Sequence, residues 1–145
     1  MPKIKKEIFL GCKLEDAFAG MSSSDFIKKI NSAADVETNI IYQNERVIRY
    51  KIRVKGVGNW ESEKILVPEV NFIVTHRRMP LEPFKYMAVI YILSQSYQGT
   101  KLTYIEDFEV EDKSIHLENK ILSDISKKAD IILGKISDYF YAASN

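Results

Sequence analysis

Few features of this chain point to a familiar chemistry. One cysteine in 145 residues excludes an internal disulfide, and a lone Cys12 fits a reducing compartment. Cys12 has no catalytic partner in the sequence and reads as a buried, inert thiol. His76 and His116, with scattered carboxylates, show no metal-ligand spacing. The six glycines form neither a phosphate-cradling loop nor a dinucleotide fingerprint. No cofactor or metal is therefore expected. Charge of one sign is also missing. The 21 basic and 20 acidic residues leave a formal net charge of +1, so nothing pulls the chain globally toward nucleic acid or an acidic membrane. No apolar run approaches the roughly 20 residues of a membrane span. The segment Met1 to Glu7 lacks the apolar core of a signal peptide. A cytoplasmic protein with no membrane partner is the expectation.

What is present is an ordinary globular composition, 46% hydrophobic and 28% charged, in a chain long enough for a real core. No repeat, linker or low-complexity run divides it, so residues 1–145 are expected to form one domain. A strand is predicted over Ile4 to Leu10. Two short helices follow between Leu14 and Asn31, separated by Ser22-Ser23-Ser24-Asp25, which offers a break and a new N-cap. Strands are then predicted over Asp35 to Gln43, Arg46 to Lys55, Trp60 to Val67, Phe72 to Arg78, Phe84 to Gln95 and Thr100 to Val110. Turns at Asn44-Glu45, Gly56 to Gly58, Pro68-Glu69 and Gln98-Gly99, and a loop from Met79 to Pro83, connect them.

The last segment changes period. Ile121, Ile125, Ala129, Ile132, Ile136 and Phe140 recur at helical spacing, with Leu122, Leu133, Tyr139 and Ala143 widening the stripe. One amphipathic helix is predicted from about Leu117 to Ala142. Gly134 inside it weakens the helix by about 1 kcal/mol relative to Ala and suggests a close backbone approach. The fold class is α+β: a curved antiparallel sheet of about seven strands must cover this stripe, leaving a cavity between sheet and helix. Such a cavity is the default ligand site.

Alternation along the strands proposes its lining. Trp60, Ser62 and Lys64 share one face with Leu66. Phe72, Val74, His76 and Arg78 share another, provided Arg78 points inward. Met87, Val89, Tyr91 and Leu93 form a third, and Leu102, Tyr104, Glu106 and Phe108 a fourth. Asp107 follows the pleat to the opposite face. The result is an aromatic wall carrying a few polar groups.

Three motifs occur in order: Trp60-Glu61-Ser62-Glu63-Lys64; Arg78 before Pro83-Phe84-Lys85-Tyr86-Met87; and Gly99-Thr100 through Tyr104 to Asp107-Phe108. With the element order they resemble the tetracenomycin-type aromatase/cyclases of type II polyketide pathways, within the Bet v 1/START-like helix-grip superfamily. The resemblance covers nearly the whole chain. It implies a helix-grip fold and an enzyme of antibiotic or pigment biosynthesis. That enzyme folds a carrier-protein-bound poly-β-ketone and promotes aldol cyclisation with dehydration. It implies as partners an acyl carrier protein bearing the intermediate and other type II polyketide synthase subunits, with the protein a monomer or homodimer. The family's cavity arginine falls on Lys64, its cavity tryptophans on Tyr91 and Tyr104, and a glutamine on Glu106. Either Arg77 or Arg78 matches its second arginine.

Ring closure needs an enolate, a donor or cation at a carbonyl oxygen, and proton transfers that end in loss of water. Lys64 polarises the carbonyl or acts as base. Tyr91 and Tyr104 relay protons. Glu106 is base or the counter-ion of Lys64. Phe26, Trp60, Ser62, Arg78, Phe84, Met87 and Phe108 are the expected substrate contacts. Arg77 and Arg78 also suit an acidic carrier surface or a phosphopantetheine group. Each residue has a plainer reading: a solvated lysine, a salt-bridged carboxylate, aromatic core packing, a structural His76. The alternative function is a non-catalytic helix-grip carrier or chaperone of a hydrophobic or aromatic small molecule.

Overall fold

The structure is a computed structural model that describes residues 3–78 and 83–144, with side chains as far as Tyr141. Its order is β1 (Lys3–Leu10), α1 (Leu14–Met21), α2 (Ser24–Ile30), β2 (Val36–Gln43), β3 (Val47–Val54), β4 (Gly58–Val67), β5 (Phe72–Arg77), β6 (Phe84–Ser96), β7 (Gly99–Val110) and α3 (Glu118–Ser144). A 3-10 turn over Asp112–Leu117 leads into α3, which begins at Glu118, one residue after the predicted start. Of the expected loop, residues 79–82 lie outside the described residues, as does the side chain of Ala143.

Each boundary has a local cause. The Ser23 hydroxyl accepts the Phe26 amide at 3.1 Å, capping α2 where the serine run predicted it. The Asn44 carboxamide accepts the amides of Arg46 and Val47, both at 2.8 Å, and closes the β2–β3 hairpin.

Every ladder is antiparallel, in the order β1-β7-β6-β5-β4-β3-β2. β1 at one edge hydrogen-bonds to β7, so the chain's first and last strands lie side by side. The fold is the helix-grip fold: a curved seven-stranded sheet holding one long helix. The apolar stripe of α3 faces the sheet, with Ile125, Ala129, Leu133, Ile136 and Phe140 buried. They pack with Tyr91, Leu93, Leu102, Tyr104 and Phe108 from β6 and β7, and with Ala17, Met21 and Phe26 from α1 and α2. A second cluster under the far half of the sheet joins Ile27 to Ile48, Tyr50 and Ile52 of β3. The space between the two clusters is the cavity.

β5 departs from the predicted phase. Ile73 is fully buried while Phe72 is 37% exposed, so the inward set is Ile73, Thr75 and Arg77 rather than Phe72, Val74, His76 and Arg78. Hydrophobicity does not separate the two faces of this strand, because Val74 pairs with Ile65 and Ile90 on the outer surface. The tight turn over Pro68 to Asn71, with Asn71 at φ 56°, sets the register instead. Gly134 also differs from expectation: nothing lies within 4 Å of a Cβ built there, so no close approach requires it. No helix among the described residues is long and apolar enough to cross a membrane.

Candidate functional site

A cavity of about 630 Å³ opens between the concave face of β3–β7, α2 and one side of α3. That volume lies in the range of small-molecule pockets, roughly 300–1,000 Å³. Phe26, Ile27 and Ile30 supply its roof; Tyr50, Trp60, Ser62, Lys64, Thr75 and Arg77 one wall; Phe84, Met87, Val89, Tyr91, Tyr104 and Glu106 the other. Lys128, Ile131 and Lys135 of α3 stand at the mouth.

Two transverse rows of the sheet organise the polar groups. One runs Ile48, Lys64, Thr75, Val89, Glu106 and Ile4 from β3 to β1. The next runs Tyr50, Ser62 and Arg77. Since side chains of one row share a face, Lys64, Arg77 and Glu106 all point into the same space.

Lys64 is 2% exposed. Its ammonium donates to the carbonyl of Met21, which ends α1, and its Nζ lies 4.4 Å from the centre of the Phe26 ring. No carboxylate pairs with it among the described residues. Burial alone pushes its pKa down to about 7. A fully buried lysine without an ion pair is uncommon, because desolvating an uncompensated charge is expensive.

Glu106 is 6% exposed and accepts the Tyr104 hydroxyl at 2.6 Å. Burial raises its pKa; the Tyr104 hydrogen bond and the positive Arg77 and Lys128 oppose the rise. Tyr104 packs edge-on to Tyr91, with ring centres 5.5 Å apart. Burial raises both phenols, and the negative Glu106 adds to it, so both hold their protons. Tyr50 is pushed up to about 12 by burial, partly offset by Ser62 and Arg77. The Arg77 guanidinium sits 4.8 Å over the Trp60 ring. Burial lowers its pKa, against Glu106 and Tyr50, and an arginine in such a position remains charged.

Most of the residues singled out from sequence meet here: Lys64, Tyr91, Tyr104, Glu106, Phe26, Trp60, Ser62, Phe84 and Met87 all line the cavity. Four corrections follow. Arg78 is exposed and pairs with Glu61 at 3.4 Å on the outer side; the shifted phase of β5 brings Arg77 inward instead. Phe108 faces inward and is fully buried, but it packs in the core edge-on to Phe84, ring centres 5.7 Å apart, and does not line the cavity. Nor is Glu106 the counter-ion of Lys64, since Thr75 and Val89 stand between them in the row. His76 binds Glu63 at 3.2 Å on the outer face, where Arg49 first and His76 next hold the Glu63 carboxyl below its usual range. The Cys12 thiol, raised by burial, lies away from the cavity. Tyr50, Thr75 and Lys128 were missed, and of the two arginines left open it is Arg77 that lines the cavity. Tyr50 was legible as part of the buried face of β3, and its position opposite Ser62 was the signal. No group of three or more metal-ligating side chains gathers among the described residues.

No protein-family model matches the chain, and no curated protein matches its sequence. Solved structures do resemble it. The protein TTHA0849 from Thermus thermophilus gives a TM-score of 0.80 at 14% identity, covering 99% of this chain and 100% of that one. The Zhui aromatase/cyclase from Streptomyces sp. R1128 gives 0.74 at 10% identity, covering 99% and 96%. A START superfamily protein from Mycobacterium smegmatis gives 0.72 at 13% identity, covering 97% and 98%. At these identities the likeness is one of fold.

Proposed function

We propose that this cavity folds a poly-β-ketone carried by an acyl carrier protein and promotes its regiospecific intramolecular aldol cyclisation and dehydration. The protein would act in the cytoplasm beside type II polyketide synthase subunits. The observation that carries the reading is the division of one apolar, aromatic cavity between two chemistries. Arg77 and Lys64 stand on the β4–β5 wall, and the Tyr104–Glu106 pair stands on the β7 wall. The fold shared with Zhui aromatase/cyclase supports the same reading.

An aldol closure uses such a division. Holding a flexible chain in one bend can remove up to about 7–11 kcal/mol of the barrier. Arg77, fixed on Trp60, offers a charged donor to a carbonyl oxygen as negative charge develops there. The Lys64 amine, partly unprotonated near neutral pH, promotes enolisation of the carbonyl compound beside it. Glu106, with its raised pKa and its Tyr104 partner, transfers the proton to the departing hydroxyl. No cofactor enters these steps.

The experiment is reconstitution with a minimal polyketide synthase and its carrier protein. The product distribution should shift to one ring pattern when this protein is added. An unchanged distribution across plausible chain lengths refutes the proposal. The wide separation of Lys64 from Glu106 favours a second reading, a carrier that holds an aromatic ketone without turning it over. Tight binding of cyclised product with no change in product ratio would select it.

A further inference from the structure

We propose that Lys64 is a covalent attachment site, whose ε-amine condenses with a ketone carbonyl of the bound ligand to give an imine and then an enamine. The inference rests on reading the cavity as a site for keto compounds; it adds how one carbonyl is held and activated.

The geometry is that of a nucleophile rather than of an ion pair. Nζ faces the cavity and is almost wholly shielded from bulk water. Its hydrogen-bond acceptor is the Met21 carbonyl, which takes one N–H. The Phe26 ring covers another side. With no carboxylate among the described residues holding the protonated form, an unprotonated amine keeps one N–H on Met21 and its lone pair free. Burial, which lowers the lysine to about 7, keeps a substantial share of that free amine at neutral pH. The adjoining apolar wall favours the neutral imine over charged alternatives.

The step balances without an oxidant or reductant. The nitrogen lone pair attacks the carbonyl carbon and the C=O π pair moves to oxygen. Proton transfer from nitrogen to oxygen gives a carbinolamine. Its hydroxyl leaves with a proton as water, forming C=N. The released water then takes the α-proton and returns one to the imine nitrogen, a tautomerisation that gives the enamine, a carbon nucleophile equivalent to the enolate. Addition of water reverses the sequence. A 1,3-diketone suits this site, because its adduct becomes a conjugated enaminone.

The test treats the folded wild-type protein with 1-phenyl-1,3-butanedione near pH 7 and reads intact mass and a peptide digest. One equivalent of diketone less one water should attach, with Lys64 labelled at least about tenfold faster than the exposed lysines, since only free amine reacts. In a parallel arm, 4-phenyl-2-butanone with cyanoborohydride should fix a secondary amine on Lys64. Lys64→Met should abolish both adducts while still binding the diketone, as followed by quenching of Trp60 fluorescence. Label confined to exposed lysines of the folded wild type, with Lys64 unmodified, overturns the inference. Cyclisation without an adduct also overturns it and leaves the proposed function standing. An adduct without cyclisation does the reverse.

Discussion

Lys64 and Glu106 occupy the same transverse row of the sheet, with Thr75 and Val89 between them. Three strand spacings of about 4.8 Å separate their backbones along the sheet. Each is buried without the other as partner, and the two respond in opposite directions: burial lowers the lysine and raises the carboxyl. An ion pair would have held both groups charged. Kept apart, each shifts toward its neutral form, the lysine downward and the carboxyl upward.

The first consequence is a pH-dependent stability. Lys64 falls from 10.5 to about 7 on folding, so between those values the unfolded chain binds more protons. Stability therefore rises with pH through this window, by up to about 1.4 kcal/mol per pH unit from this residue. Lys64→Met should stabilise the protein strongly at pH 6 and progressively less toward pH 10. Urea denaturation of both proteins at several pH values checks it. A difference independent of pH would show that Lys64 titrates alike in both states.

Lys64→Arg retains a cation but removes any free amine near neutral pH. Cyclisation by this variant should fall at least about tenfold, with the circular dichroism spectrum unchanged. Wild-type turnover from Lys64→Arg would reduce Lys64 to a fixed positive donor.

Tyr104→Phe removes the hydrogen bond that pulls the Glu106 carboxyl downward. Its pKa should rise further above the usual carboxylate range. If Glu106 must be protonated to give its proton to the departing hydroxyl, the descending, alkaline limb of the pH–rate profile that it sets should move to higher pH in Tyr104→Phe. That limb should vanish in Glu106→Gln. A descending limb identical in all three proteins would remove Glu106 from the proton transfers.

Arg77 and Arg78 are neighbours in sequence with opposite fates. Arg77 is half-buried over Trp60, whereas Arg78 is exposed beside Glu61. Arg77→Gln should weaken binding of an aromatic keto acid by about tenfold or more, while Arg78→Gln should change it little. Isothermal titration of both variants decides this. Equal losses would place the binding energy on the outer surface.

Much of this fold could be read from periodicity alone. The stripe from Ile125 to Phe140 forced one long helix against the sheet, and the strict alternation of Ile48, Tyr50 and Ile52 against Arg49, Lys51 and Arg53 fixed the buried face of β3. β7 was equally clear, since Leu102, Tyr104, Glu106 and Phe108 are all inward. β5 was not, because Phe72, Ile73 and Val74 are apolar on both faces and a one-residue slip exchanges every side chain. That slip left the choice between Arg77 and Arg78 open. Lys128 was hidden differently: it lies off the helix stripe, and only the curvature of the sheet brings the cavity mouth to it. The separation of Lys64 from Glu106 depended on strand order, which local pattern does not encode.

Two glycines separate local propensity from packing. At Gly99 the backbone has φ +142°, and a Cβ would fall 2.3 Å from the Leu10 carbonyl oxygen and 3.1 Å from that of Cys12. Those backbone atoms belong to the end of β1 and the turn after it, and the Thr100 hydroxyl, donating to the Cys12 carbonyl at 2.9 Å, ties them in place. Gly99→Ala should therefore destabilise by about 3 kcal/mol or more, combining a strained φ with a clash that no side-chain rotation relieves. At Gly134, exposed and within α3, a Cβ meets nothing within 4 Å. Gly134→Ala should stabilise by about 1 kcal/mol, the helix-interior difference between the two residues. Thermal melts followed at 222 nm should show the first variant about 10 °C below wild type and the second about 3 °C above it. A loss of stability in Gly134→Ala would mean that something packs against that face of α3 in solution.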